Sequence, residues 1–144
     1  MDRRVQSTWL LLKIVFGVVP IVAGLDKFVG FLADWQAYLS PLARSLLPVS
    51  PGLFMKVVGV IEIVAGIIVL SRYTRIGAYI VAIWLVAIAL ELVTGRHLDI
   101  AVRDLVMAVS AFSLARLTEA RDAVAARTPA RAPVPPPGAA PARA

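Results

Sequence analysis

Four apolar stretches separated by short polar segments dominate the chain. They cover residues 9–32, 53–70, 76–94 and 100–117. At a rise of about 1.5 Å per residue, each stretch is long enough to cross a hydrocarbon layer of about 30 Å as an α-helix. The pattern therefore predicts an all-α membrane protein in which four transmembrane helices form a compact bundle.

The segments outside these stretches differ in character. Residues 1–8 are a polar start, and the fourth helix is expected to extend into water as far as residue 127. Residues 33–52 combine aromatic and leucine side chains with three prolines, which is typical of a short amphipathic segment at the membrane interface. We expect this segment to connect two spans, and a cover over the mouth of the bundle is the alternative. Residues 128–144 are rich in Pro, Ala and Arg and predict a disordered tail.

The composition agrees with a membrane protein and limits the classes of partner that it is expected to bind. Hydrophobic residues make up 60% of the 144 residues, and the mean hydropathy is +0.84, too apolar for a soluble domain of this size. The net charge is +6, but the arginines lie at span ends and in the tail. Lipid headgroups rather than nucleic acid are therefore the expected partners of these cations. With no cysteine and one histidine, the chain has no thiolates for a disulfide, a zinc site or an iron–sulfur cluster, and we expect neither a metal nor a covalently bound cofactor.

The distribution of basic residues predicts the orientation of the bundle. Four spans place both termini on one side of the membrane. The basic residues on that side are Arg3, Arg4, Lys13, Arg72, Arg75, Arg116, Arg121 and Arg127, and those on the other side are Lys27, Arg44, Lys56, Arg96 and Arg103. The excess predicts cytoplasmic termini in a multi-pass protein of the inner (plasma) membrane. A cleaved signal peptide is the alternative for the first stretch, but Lys13 interrupts its core and no clean small-x-small cleavage site follows.

Glu62 is a single carboxylate in the middle of the second stretch. It lies roughly 14 Å into the hydrocarbon layer, where an ionisable side chain costs at least ~2.5 to 3.5 kcal/mol and needs a partner. Glycines share its helical face and that of Lys27: Gly59 and Gly66 in the second span, Gly17 and Gly24 in the first. Because small residues allow helices to approach closely, Lys27 is the predicted partner of Glu62, and Arg103 is the next candidate.

Further charged residues are expected at one level of the bundle. Alternating helix directions bring the ends of spans one and three together with the starts of spans two and four. The residues predicted to form this polar layer are Asp26, Lys27, Glu91, Asp99, Arg103 and Asp104, with Glu62 somewhat deeper. Asp99 and Arg103 are also spaced for a helical ion pair. The layer is a candidate small-molecule or quinone site, and the alternatives are a purely architectural ion network and a proton or ion path.

Three segments together resemble the DoxX family of bacterial four-helix membrane proteins. They are GLDKF at residues 24–28, GVIEIVAGIIVL at residues 59–70 and DIAVRDLVMAVSAFSLARL at residues 99–117. The resemblance extends over roughly residues 9–117. By position, the lysine of the family falls on Lys27, its second-helix glutamate on Glu62, and its fourth-helix aspartate on Asp104 or Asp99.

The resemblance implies a redox setting. Members of the wider superfamily resemble small subunits of thiosulfate:quinone oxidoreductase, and others are membrane partners of redox-defence enzymes. These relations imply quinone as the small molecule and a respiratory or oxidative-stress role. The leading hypothesis is an accessory or quinone-interacting subunit of a redox complex. The alternatives are a non-enzymatic scaffold that recruits a soluble enzyme and a small transporter, and homo-oligomers remain open.

Overall fold

The computed structural model describes residues 2–127, which contain helices and no strand. The long helices are α1 (Arg3–Val29), α3 (Pro51–Leu70), α4 (Thr74–Thr94) and α5 (Leu98–Arg127). Between α1 and α3 lie a short 3₁₀ helix (Trp35–Tyr38) and α2 (Pro41–Leu46). The all-helical prediction is confirmed for this part of the chain, and the predicted tail at 128–144 lies outside the described residues.

Three helices, α1, α3 and α4, are long and apolar enough to cross a membrane. Many of their large hydrophobic side chains are exposed on the outer faces, which is where lipid would cover them. The predicted fourth span lies within α5, which is not one of the three candidates because its apolar stretch carries Arg103, Asp104 and Arg116. A membrane protein with apolar helices is thus supported, while the fourth crossing and the cytoplasmic termini stay predictions.

Capping residues set where α1 begins and ends. Asp2 accepts a hydrogen bond from the backbone N–H of Arg4 at 2.8 Å, so the helix begins ahead of the predicted span. Gly30 adopts a left-handed conformation with φ 69°, which glycine reaches without steric cost and which ends α1 at Val29. The predicted span 9–32 is therefore too long at its end, because residues 30–32 form a turn.

Glycines bring α1 and α3 into backbone contact. A Cβ atom added to Gly24 would lie 2.5 Å from the carbonyl oxygen of Gly59, and one added to Gly59 would lie 2.6 Å from the carbonyl oxygen of Gly24. Gly66 likewise faces the carbonyl oxygen of Gly17. The small-residue faces predicted from the sequence therefore meet each other, as they do in closely packed membrane helices.

The second helix pair, α4 and α5, packs through small and branched side chains. The buried core that joins these helices to α1 and α3 includes Phe16, Val69, Val81, Leu85, Ala111 and Leu114. A tight turn at Ser71 leads from α3 to α4, and Gly77 lies against the backbone of α3, where a Cβ atom would be 2.6 Å from the Val69 nitrogen. The bundle thus consists of two close pairs joined along α3 and α4.

The interfacial connection folds back over one end of the bundle. Ser40 caps α2 by accepting from Ala43 N–H at 3.1 Å, and Ser50 caps α3. Prolines begin both helices, where a missing N–H costs nothing. Tyr38 stacks edge-on against His97 between α4 and α5, with ring centroids 5.5 Å apart. The connection is therefore fastened to both helix pairs, above the polar residues described next.

Candidate functional site

A buried ion pair joins α1 to α3. The Lys27 ammonium donates a hydrogen bond to the Glu62 Oε2 atom at 2.6 Å. The two side chains are 4% and 9% exposed, so both charges have lost nearly all their water. The pair predicted from the sequence is confirmed, and such a desolvated pair depends on close geometry for its attraction to offset the desolvation.

The local sequence explains why these two side chains meet. Gly24 and Lys27 are three residues apart, as are Gly59 and Glu62, so each charge lies one helical turn beyond a glycine contact. A Cβ atom on Gly59 would be 3.2 Å from the Lys27 Cβ. The short distance between helix axes thus lets a lysine and a glutamate bridge the gap directly.

Trp35 covers the ion pair from the interfacial side. The Lys27 Nζ atom lies 3.8 Å from the centroid of the Trp35 ring, a distance at which the cation and the ring attract each other. The indole Nε1–H donates to the Asp26 Oδ2 atom at 2.7 Å. Trp35 therefore links the ion pair to the carboxylate of Asp26, the residue that precedes Lys27 in the sequence.

Asp26 itself organises the turn after α1. Its Oδ1 atom accepts from the backbone N–H groups of Phe31 and Leu32, each at 2.9 Å. These bonds hold the chain that leads to Trp35. Asp26 belongs to the predicted polar residues, but its described partners are the turn and the indole rather than another helix of the bundle.

Two further helices contribute groups near Glu62. The Trp84 indole of α4 lies near the Glu62 carboxylate but outside hydrogen-bond distance, and the Asp104 carboxylate of α5 acts on Glu62 only through its charge. The Trp84 Nε1–H is buried and has no hydrogen-bond partner among residues 2–127. The other three long helices therefore each place a polar group near Glu62, although the α4 residue is a tryptophan that the sequence did not single out as a polar group.

Arg103 forms a different ion pair from the predicted one. It contacts Asp104, with Nε and Oδ1 3.3 Å apart, and no ion pair with Asp99 is present within residues 2–127. The predicted Asp99–Arg103 pair is therefore wrong. Asp104 is buried whereas Asp99 is exposed, so the arginine neutralises the carboxylate that has lost its water.

Glu91 holds the interfacial connection. Its Oε1 atom accepts from the backbone N–H of Ser40 at 2.6 Å, at the start of α2. Among the described residues, neither Glu91 nor Asp99 makes a hydrogen bond or an ion pair with Lys27 or Glu62. The predicted polar layer is thus divided. Lys27 pairs with Glu62 at its centre, whereas Glu91 binds the connection between α1 and α3.

A cleft of about 620 Å³ opens beside the ion pair. It lies between the end of α1, the 3₁₀ helix and the start of α3, and Lys27 and Trp35 form part of its wall. Its other polar lining comes from Asp34, Gln36, Ser50 and Lys56, and its apolar lining from Phe28, Val29, Leu53 and Met55. Such a volume suits a small organic molecule held by a few polar groups on an apolar wall.

Sequence reasoning missed Trp35, Lys56 and Trp84 as members of this site. Trp35 was expected at the interface, but its position over Lys27 depends on the turn at Gly30. The distribution of basic residues predicts only a topological role for Lys56. The structure describes no group of three or more metal-ligating side chains within residues 2–127.

Comparison with known proteins matches residues 8–95 to one family, DoxX. No curated protein and no solved structure matches the chain. The matched segment begins in α1 and ends just after α4, so it contains Lys27, Glu62 and the cleft, whereas α5 lies beyond it. Since this segment is more than half of the 144 residues, the protein belongs to the DoxX family.

Proposed function

We propose that this DoxX protein is a quinone-interacting subunit of a redox or oxidative-stress complex in the inner membrane, with the quinone headgroup bound in the cleft beside Lys27. The observation that carries the proposal is a desolvated ion pair whose lysine, Lys27, forms part of the wall of a cleft at the end of two apolar helices. Intramembrane ionisable groups that line a cavity mark ligand sites and proton relays.

The chemistry of the cleft suits a quinone headgroup. A quinone carbonyl accepts hydrogen bonds, and the Lys27 ammonium has donors left beyond the one given to Glu62. Lys56 supplies a second donor in the lining. Phe28, Leu53 and Met55 provide an apolar wall for the ring and the first part of the tail.

The ion pair can also act as a proton donor to the quinone. Reduction of a quinone to a quinol consumes electrons and protons in equal number. In our proposal a soluble redox enzyme supplies two electrons, the Lys27–Glu62 pair gives one proton to one quinone oxygen, and solvent at the mouth of the cleft gives the second proton to the other oxygen. The neighbouring Asp104 carboxylate is a further group on such a proton path.

A scaffold role is the second candidate. Exposed arginines gather at the end of the bundle opposite the cleft, among them Arg72 and Arg75 at the start of α4 and Arg127 at the end of α5. They form a basic surface on which an acidic soluble enzyme can dock. In this case the ion pair would serve architecture alone.

Photolabelling with an azidoquinone tests the quinone site. The protein is purified in mild detergent, labelled, and digested for mass spectrometry, with an unlabelled quinone as competitor. We expect labels within 27–36 and 50–56 that the competitor removes. The double variant Lys27→Met with Glu62→Gln should lose at least about tenfold in labelling, because a charge-assisted hydrogen bond contributes ~1.5 to 3 kcal/mol.

Lys13→Met is the matched control, since it removes a lysine from the same helix at the other end of the bundle. It should label as the unmodified protein does. Labelling that no quinone competes, or that survives the double variant, would overturn the quinone site. Capture of a soluble enzyme by that same double variant would favour the scaffold.

A further inference from the structure

A second cleft, of about 310 Å³, lies at the opposite end of the bundle. It is formed by the first turns of α1, the turn between α3 and α4, and the polar part of α5. Its lining contains four cationic side chains, those of Lys13, Arg72, Arg75 and Arg121, and one carboxylate, that of Asp122. Three separate helices thus direct positive charge towards one small space.

A fixed tryptophan forms the inner wall of this cleft. Trp9 is buried, and its Nε1–H donates to the Thr118 Oγ1 atom at 2.9 Å. The Thr118 hydroxyl in turn donates to the carbonyl of Leu114 at 2.8 Å. The Arg121 guanidinium carbon lies 4.1 Å from the Trp9 ring centroid, and the Lys13 Nζ atom lies 5.2 Å from it. One aromatic ring therefore contacts two cations.

Among residues 2–127, the hydrogen bonds that these cations donate go to neutral groups. Lys13 donates to the carbonyl of Ser71 at 3.0 Å, and Arg72 donates to the Tyr73 hydroxyl at 2.7 Å. Within residues 2–127, none of the four takes part in an ion pair, and Lys13 and Arg121 are close enough to repel each other. An anion in the cleft would relieve this repulsion and use the remaining N–H donors.

The start of α4 adds backbone donors to the same space. Thr74, Arg75 and Ile76 line the cleft, and no side chain caps this helix. The Thr74 hydroxyl is turned away, since it donates to the carbonyl of Ser71 at 3.0 Å. The first N–H groups of α4 thus join the cations as donors to an anion.

We propose that this second cleft binds a phosphate group, either that of an anionic phospholipid headgroup or that of a small soluble phosphate. Arginine and lysine donors match phosphate oxygens in geometry and charge. The cleft lies where the end of α3 and the start of α4 meet two neighbours, α1 and the polar part of α5. This site is distinct from the quinone cleft and does not depend on the proposed function.

Lipid retention measured by native mass spectrometry tests the site. The protein is released from vesicles of phosphatidylcholine that contain a minor fraction of phosphatidylglycerol. We expect one retained phosphatidylglycerol in preference to phosphatidylcholine. Arg75→Gln should reduce its affinity about fivefold and the double variant Arg75→Gln with Arg121→Gln roughly thirtyfold, because each cation near the surface contributes ~1 kcal/mol.

Arg127→Gln is the matched control, because it removes an exposed arginine from the same end of α5 outside the cleft. It should retain phosphatidylglycerol unchanged. An equal loss in Arg127→Gln would mean that diffuse surface charge binds the lipid, and the site would be refuted.

A parallel titration with inorganic phosphate, followed by thermal unfolding in detergent, identifies the source of the phosphate. Stabilisation by inorganic phosphate that the double variant abolishes, without lipid retention, would support the site with a soluble phosphate as its ligand. Unmodified protein that responds to neither probe would overturn the proposal.

Discussion

Removal of either partner of the Lys27–Glu62 pair should destabilise the bundle strongly. Both side chains are more than nine-tenths buried and the charges are 2.6 Å apart. Breaking a buried pair by removing one partner costs about 3 to 5 kcal/mol, whereas removal of both charges at similar volume is often close to neutral. The structure predicts, in addition, that the two single variants differ.

The difference follows from what each remaining charge still contacts. In Glu62→Gln, the lysine keeps the face of Trp35 at 3.8 Å, which contributes ~2 kcal/mol when desolvated, and it keeps an amide oxygen as acceptor. In Lys27→Met, the buried Glu62 carboxylate loses its ion-pair partner, and the Asp104 carboxylate, which is paired with Arg103, adds a weaker repulsion. We therefore expect a loss of about 2 to 3 kcal/mol for Glu62→Gln and about 4 to 5 kcal/mol for Lys27→Met.

Unfolding by SDS titration in mixed micelles, followed by tryptophan fluorescence, measures these free energies. The double variant should recover most of the loss, with a coupling energy of at least about 2 kcal/mol. Lys56→Met, a lysine exposed on the same cleft, is the control and should change stability by less than about 0.5 kcal/mol. Strictly additive losses in the double variant would show that the pair does not stabilise the bundle and would refute the reasoning.

Three further predictions concern topology, the tail and the glycine contact. Reporters fused after Arg72 and at the C-terminus should read cytoplasmic and one after Arg96 external, and a cytoplasmic result after Arg96 would contradict the four-span orientation. Truncation after Arg127 should leave thermal stability in detergent unchanged, because the removed residues lack apolar periodicity, and a large loss would show that they pack on the bundle. Gly59→Ala, whose Cβ would lie 2.6 Å from a backbone oxygen of α1, should cost about 1 to 3 kcal/mol in SDS unfolding. Gly52→Ala, with its nearest atom at 3.5 Å, is the matched control, and equal losses in the two would reject the close α1–α3 contact.

The prediction of the Lys27–Glu62 ion pair rests on helix periodicity. Glycines lie along one face of α1 and along one face of α3, and two such faces can pack closely against each other. Lys27 and Glu62 each lie one helical turn beyond a glycine on these faces. The sequence pattern alone therefore predicts that Lys27 pairs with Glu62. Short motifs in the sequence likewise indicate the family. The segment that matches the family ends at residue 95 and does not include α5.

Other contacts depend on the path of the chain between helices. The partner of Asp26 is a turn set by the left-handed conformation of Gly30, and the partner of Glu91 is the first backbone N–H ahead of α2. Helical spacing favours an Asp99–Arg103 pair, yet the Arg103 guanidinium contacts Asp104. Spacing gives the angle between two side chains on one helix, but it does not tell which carboxylate is buried.

The sequence by itself thus determined the elements, their apolar faces and the residues that cannot remain unpaired in lipid. Only the tertiary structure decided that Trp35 lies over Lys27, that Trp84 and Asp104 lie near Glu62, and that four cations and Trp9 line a second cleft. The physical reason is the separation along the sequence between the residues that interact. Faces and caps arise from residues within a turn of each other, whereas clefts arise where separate helix ends and connections meet, at distances that no local pattern encodes.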